Sequence, residues 1–527
     1  KLLVVDAVSN VFTFFPLSAT GNSPGLEVLA LSPFQRFISN ISWNVFGKVC
    51  VQILLFGVSI LLTRYLGKER LGVYATLLVI PSFVRLLNQF GLETLINKKL
   101  PELMVEDPTG RQGRYLVRKA LGIRAMTTLI FGVVLYVGLP HYLSLIHMPE
   151  LIDYRFALIA YFFIITLNSI FSTLFMTRLE YKTVTLTETF CAFLNLCFLG
   201  IFIFLDYGIF GVLYAYVLST TINILIYFVL ADLKGKTQVP DLQEMAPLAR
   251  ASYLTGLLSI GLITQSDILL MNYFHVEPSG IGFYHLATGL GGMLAFVLVG
   301  VGPLALSILS ETYAKESAEG LSRIWCQIVG FASFLTVPIF VFAFFNAESL
   351  IYFVYGEQFG PAGKVLAFYI LFIGVATVAG YDFVTSTLFI LHRRDTVVRV
   401  TVEGSLINIG LNLILIPLYQ EMGAVTGTGL AMVYMVFRQL FVIQKHVNIF
   451  PALPTIGKCL LFSLLAVIPA QTFAIFIWEQ VLMTALIYAL GFLILLAMLK
   501  PFTRTQSEVL SAIHPKAPVW INRFVRQ

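Results

Sequence analysis

The sequence predicts an all-α integral membrane protein of about 14 transmembrane helices, arranged as two pseudo-symmetric six-helix bundles plus two C-terminal helices. Three observations lead there. The 527 residues are 58% apolar and only 12% charged, with a mean hydropathy of +0.87. A soluble domain carries about a quarter charged residues, so this chain lacks the polar side chains to face water, and lipid is its natural solvent. Apolar stretches of roughly 20 residues, the length that crosses a bilayer, succeed one another from residue 41 to residue 499. Finally, a pattern recurs. Ile60-Leu61-Leu62-Thr63-Arg64-Tyr65, then Gly72-Val73-Tyr74, returns as Ile268-Leu269-Leu270-Met271-Asn272-Tyr273, then Gly282-Phe283-Tyr284.

In chain order, residues 1–35 form an N-terminal extension, broken by Asp6, Pro16, Gly21, Pro24 and Gly25. Spans follow at 41–66, 70–92, 115–139, 154–176, 182–204 and 208–231, giving an N-lobe over 36–233. A polar linker, 234–246, contains Pro240. The C-lobe, 247–447, holds spans at 250–273, 280–309, 322–345, 364–390, 395–418 and 423–446. Spans at 455–477 and 479–499, within a segment 455–500, lie outside the repeat and are suited to lining a lipid-facing groove or bracing the second lobe. A basic tail, 501–527, ends the chain. Each lobe has an even number of spans, so the two copies enter the membrane from one side, as parallel repeats do. A repeat of this kind is the mark of a two-lobed membrane carrier.

The Lys and Arg residues test this division. Loops after even-numbered spans, with the tail, hold 23 of the 34; loops after odd-numbered spans hold only Arg64, Lys68, Arg70, Arg155 and Lys364. The positive-inside rule places both termini and the even loops in the cytoplasm. The net charge of +6 follows from this asymmetry and does not ask for a nucleic-acid partner. Cys50, Cys191, Cys197, Cys326 and Cys459 sit in apolar stretches and read as packing residues, and the seven histidines have no zinc-like spacing. No phosphate-binding loop, nucleophile elbow or dinucleotide fingerprint appears. The odd-side loops near 140–153 and 346–363 are too short to house an enzyme's active site, and no catalytic residue or metal site is expected.

Leu62-Thr63-Arg64-Tyr65-Leu66-Gly67 with Gly72-Val73-Tyr74 resembles the first hairpin of the polysaccharide transporter family, the O-antigen flippases. Phe90-Gly91-Leu92, the hairpin that follows Asp267 and the turn Met422-Gly423-Ala424-Val425-Thr426-Gly427 fit the same pattern. The resemblance covers roughly residues 36–500. It belongs to a superfamily that also holds multidrug and toxin extrusion transporters and the lipid II flippase. It implies two six-helix bundles around a central cavity, alternating access, and no enzymatic activity. The implied substrate is an undecaprenyl-pyrophosphate-linked oligosaccharide (an O-antigen or exopolysaccharide repeat unit) moved across a bacterial or archaeal plasma membrane. Membrane lipids are implied partners, with a glycan polymerase or glycosyltransferases as candidate ones. A cation-coupled multidrug exporter and a flippase for a lipid II-like wall precursor are the alternatives.

Ionisable side chains within spans cost several kcal/mol if they face lipid, so each is expected to face the interior or a partner. Lys48, Arg85, Arg124 and Glu188 lie in the inner third of the first lobe's helices; Asp382, Glu403 and Arg438 lie at similar depth in the second, with Asp267 nearer the outer side. Lys48, Arg85 and Arg124 are the candidate cations for a substrate pyrophosphate, which Arg can grip bidentately. Glu188, Asp267, Asp382, Glu403 and Arg438 are the cavity or coupling candidates, with no cofactor beyond Na⁺ or H⁺ as coupling ion. The competing reading is closed pairs, Glu188 with Arg124 and Glu403 with Arg438. Arg85→Ala and Arg124→Ala are both expected to abolish surface glycan with membrane levels of the protein intact.

Overall fold

The computed structural model describes residues 33–107, 109–231, 233–239, 253, 260–295, 301–476 and 481–499, and those residues are helical nearly throughout. The extension 1–32, residues 240–246 of the linker and the tail 501–527 lie outside the described residues. The chain forms two units, residues 1–70 with 74–257, and residues 258–527 with 71–73.

Unit 1 contains α1 (Pro33–Leu87), α2 (Leu92–Glu106), α3 (Arg111–Leu145), α4 (Arg155–Thr177), α5 (Tyr181–Phe204) and α6 (Gly208–Leu230). α1 covers two expected spans. Gly67 divides it, with φ 72° and ψ 174°, in the left-handed φ range that a side chain resists. α3 is inside-out relative to a soluble helix. Met126, Leu129, Ile130, Val133, Val134 and Val137, at helical spacing, are each more than half exposed, while Arg124 and Thr128 are buried. An exposed apolar stripe over a buried charge is stable only where the outer solvent is lipid.

The two ends of unit 1 sort as an alternating chain requires. At one end Tyr65 donates to Asp206 Oδ1 at 2.8 Å and accepts from the Gly208 amide at 2.9 Å, joining the turns after the first and fifth spans. At the other, Arg118 Nε and Arg178 Nη1 donate to the carbonyls of Leu233 and Ala231 at 2.6 and 3.0 Å, and Thr177 bonds Asn97.

Unit 2 contains α7 (Ile260–Tyr273), α8 (Pro278–Ala295), α9 (Val301–Phe345), α10 (Ala347–Tyr355), α11 (Ala362–Val378), α12 (Tyr381–Ile390), α13 (Arg394–Ile443), α14 (Leu453–Phe476) and α15 (Val481–Leu499). α13 again covers two expected spans and is divided at Gln420, φ 52° and ψ −127°. Ser322 and Cys326 donate to the Asn448 carbonyl at one end, and Gln471 donates to Asn346 Oδ1 at 3.1 Å at the other.

The described residues of all fourteen expected stretches fall largely on helix, and nine helical segments among the described residues have the length and apolarity of a membrane span. Several features depart from expectation, α10 among them, which lies inside the expected loop 346–363. α2 was not expected; its Leu92, Leu95, Ile96, Leu100 and Leu103 are buried at amphipathic spacing, but Lys98, Lys99 and Pro101 keep it from reading as a span. α9 runs straight through the expected loop 310–321, because the polar Glu and Lys there, with Ala, are strong helix formers. The expected span 364–390 breaks at Gly380, φ 88°, whose amide turns back onto the Thr377 carbonyl at 2.9 Å.

Candidate functional site

Between α1 and α2, Phe90 and Gly91 have positive φ (48° and 67°), and the carbonyls ending α1 lose their helical donors. Arg124, on α3, fills that gap. Its guanidinium donates to Asn88 O, to Gln89 O at 3.1 Å and to Glu93 Oε1 at 2.6 Å. Ser169 on α4 also donates to Glu93, at 2.9 Å, and Asn88 Nδ2 donates to Thr128 Oγ1 at 3.1 Å. Arg124 has 0% of its surface exposed. It is a charge-paired staple across a helix break, not an open cation. The expected Glu188–Arg124 pair does not form, because Glu93 takes the guanidinium. Glu188, on α5, instead accepts from Ser172 at 3.0 Å and lies within electrostatic range of Lys48, both half-buried.

Arg85 is placed differently. It is half-buried in the last turn of α1 and makes no ion pair among the described residues. Tyr161 of α4 and Tyr216 of α6 are within its electrostatic range. Their rings pack with centroids 4.9 Å apart. Of the three expected first-lobe cations, Arg85 alone has aromatic hydroxyls within its electrostatic range and no ion pair with an acid among the described residues.

In unit 2 Asp267 is the centre of a polar cluster with 0% exposure. Asn412 Nδ2 donates to its Oδ1 at 2.6 Å; Thr428 Oγ1, at 2.6 Å, and the Tyr284 hydroxyl donate to its Oδ2. Asn408 Nδ2 donates to Thr428 at 2.7 Å and Ser266 donates to Asn408 Oδ1 at 3.2 Å. Every partner is neutral, so hydrogen bonds alone orient the carboxyl in this closed site and no counter-charge meets it. Asn412 Oδ1 is buried with no partner. Asn412 turns its Nδ2 and not its Oδ1 towards Asp267, and the Asn408 Oδ1 accepts from Ser266.

Glu403 and Arg438, half-buried, meet through Tyr434, which donates to Glu403 Oε2 at 2.9 Å and is hydrogen-bonded by Arg438. The expected closed pair thus has a bridging phenol. Asp382 falls in α12, with its side chain outside the described residues. A cavity of about 810 Å³ opens beside α9, α11, α13 and α14. Its walls are almost wholly apolar, among them Phe340, Phe344, Phe437, Phe441 and Leu464. α14 therefore lines a lipid-suited groove, as expected of the first C-terminal span; α15 does not reach it.

Glu93, Ser172, Tyr284, Thr428 and Tyr434 were not foreseen as site residues. Asn408 and Asn412 carry the one usable signal, two amides at i and i+4 on one face of an apolar helix.

Helical spans with apolar outer faces, polar clusters within each unit and an apolar groove define a multi-pass membrane transporter fold. The chain matches a structure described as the lipid II flippase MurJ in an inward closed conformation with a TM-score of 0.71, at 18% identity, over 86% of this chain and 98% of that one. An inward-facing multidrug resistance MATE family transporter of the MOP superfamily matches with a TM-score of 0.63, at 17% identity, over 75% and 94%. A MOP superfamily transporter from Pyrococcus furiosus, described as having a binding pocket of reverse polarity, matches with 0.50, at 18% identity, over 80% and 99%. No curated protein matches significantly. The model of a polysaccharide biosynthesis protein family matches residues 61–363, more than half of the chain, and the chain belongs to that family.

Proposed function

We propose that this protein is a flippase that carries an undecaprenyl-pyrophosphate-linked glycan, an O-antigen or exopolysaccharide repeat unit, across the plasma membrane by alternating access. On this reading it is a carrier and not an enzyme, and both termini face the cytoplasm of a bacterial or archaeal cell. The observation that carries it is Arg85, a half-buried arginine without an acid partner among the described residues and within electrostatic range of Tyr161 and Tyr216. An arginine held in a low-dielectric interior without a counter-ion favours an anionic ligand, and its planar fork suits a phosphate. Lys48 serves as a second cation, already shared with Glu188. Family membership supplies the link to glycan assembly. The apolar groove of unit 2 has the character needed for an isoprenoid chain.

Asp267 is the coupling candidate this reading favours. When bound, Na⁺ or H⁺ supplies the positive charge that the cluster lacks; Asp267, Asn412, Asn408 and Thr428 would hold it. Turning the Asn412 amide would direct its unpartnered Oδ1 at such an ion, while Tyr284 keeps the carboxylate oriented.

Depletion in the native host tests the proposal. The expected result is accumulation of one lipid-linked glycan intermediate on the cytoplasmic leaflet. Accumulation of toxic organic cations without such an intermediate would favour the exporter alternative, and accumulation of a wall precursor would favour the lipid II-like one.

A further inference from the structure

We propose that Tyr161 and Tyr216 form a sugar subsite, the surface on which the ring nearest the pyrophosphate packs. This rests on the assignment of Arg85 to the pyrophosphate. The two rings come from different helices, α4 and α6, and meet at 4.9 Å with an interplanar angle of 41°, so they make an open V and not a closed stack. Tyr216 lies on the face of α6 turned away from lipid. The exposed Tyr214 and Leu218 are each about 160° round the helix from it, at 100° per residue. Both tyrosines are half-buried, so each keeps part of its surface accessible.

Depth orders the groups. Tyr161 and Tyr216 sit 6 and 8 residues from the starts of their helices, Arg155 and Gly208, so both are roughly 9–12 Å along. Tyr74 approaches the same rings from α1, near enough to interact electrostatically with Tyr216. Arg85 is 11 residues beyond Tyr74 on α1, which at 100° per residue returns it to nearly the same face, about 16 Å deeper. The resulting line runs from a cation at the inner end to phenol rings further out. A pyrophosphate gripped by Arg85 would direct its first sugar at the Tyr161–Tyr216 pair. A pyranose offers an apolar C–H face to pack on an aromatic ring and hydroxyls for a phenol to bond, which the amphipathic Tyr side chain matches on both counts. Tyr216 already bonds Thr220, which fixes its ring.

The test uses the full chain in nanodiscs and two probes, bare polyprenyl pyrophosphate and polyprenyl pyrophosphate bearing one N-acetylhexosamine, with affinities measured by native mass spectrometry. The wild type is expected to bind the glycosylated probe about tenfold more tightly. Tyr161→Leu and Tyr216→Leu should each erase most of that preference while leaving the bare probe unchanged, and Tyr161→Phe should retain it. Arg85→Ala should weaken both probes alike. Equal wild-type affinity for the two probes, or Tyr variants that bind both as the wild type does, or that lose both equally, would overturn the sugar subsite. Arg85→Ala with both affinities intact would instead remove the pyrophosphate assignment on which it rests.

Discussion

Among the described residues two charged side chains are wholly enclosed, Arg124 in unit 1 and Asp267 in unit 2, and the protein treats them in opposite ways. Arg124 meets an acid, Glu93, and two backbone carbonyls, so its charge is spent on holding a helix break. Asp267 meets only neutral amides and hydroxyls among the described residues, so it is oriented but no counter-charge cancels it. Burial alone therefore does not mark a functional charge. What distinguishes the two is the sum of charge inside each shell, zero around Arg124 and minus one around Asp267. A shell that sums to zero has nothing to attract. A shell with a residual negative charge is where the proposed coupling ion would bind. The duplicated sequence sharpens this, since Ser59 stands in the first copy where Asp267 stands in the second. An acid was placed in only one of two equivalent positions.

The largest effect should come from breaking the neutral shell. Arg124→Ala leaves Glu93, about a quarter exposed, without its partner and α1 without its cap, a loss of about 1.5–3 kcal/mol. Thermal unfolding in detergent and the amount of protein in membranes should both fall. Glu93→Ala should do the same, and the double variant should be less damaging than the two single effects added together. Unchanged melting in Arg124→Ala would show the guanidinium to be free for ligand after all. Arg85→Ala should keep full membrane levels and lose surface glycan.

Asp267→Asn is the counterpart. Replacing an uncancelled carboxylate by a neutral amide should change stability by less than about 2 kcal/mol. Its effect should appear in transport, and in the loss of any Na⁺- or pH-dependent rise in melting temperature that the wild type shows. A wild type whose melting responds to neither ion would remove Asp267 as a coupling site. Tyr434→Phe is milder. It deletes the phenol between Glu403 and Arg438, at a cost of about 0.5–1.5 kcal/mol in the same melting assay.

The helical course of the chain was legible because lipid enforces it: a run of roughly 20 apolar residues has no other way to satisfy its backbone. Depth along each span also identified Arg124 and Asp267 as interior charges. Their partners were harder to read. Glu93 stands at the start of α2, a helix that lies outside any hydropathy peak, so the acid that closes Arg124 looked like a loop residue. Thr428 and Tyr284 are residue types common in any membrane helix, and nothing in their own neighbourhood points across the unit to Asp267. Whether a charge is open or cancelled is a property of contacts between distant segments, with Asp267 and Thr428 separated by 161 positions. Sequence patterning within one helix does not encode it.

Asp107 carries the comparison outside the membrane. Like Asp267 it is held by neutral donors, accepting from the Thr109 amide at 3.0 Å, the Thr109 hydroxyl and the Gln112 amide at 2.9 Å, but it is open to water. Those bonds favour the ionised form, and they set its pKa below the ordinary 3.8, led by the Thr109 hydroxyl. A carboxyl whose pKa is lower folded than unfolded stabilises its loop fully above the unfolded value and loses that contribution as the pH falls through the folded one. Hydrogen exchange at the Thr109 and Gln112 amides should therefore be protected at neutral pH. That protection should fade only below about pH 3.8. Asp107→Asn should weaken the protection at all pH values while leaving the melting of the spans unchanged. Protection that persists in Asp107→Asn would show that neutral donors need no charge to order this turn, and would weaken the same argument for the oriented carboxylate of Asp267.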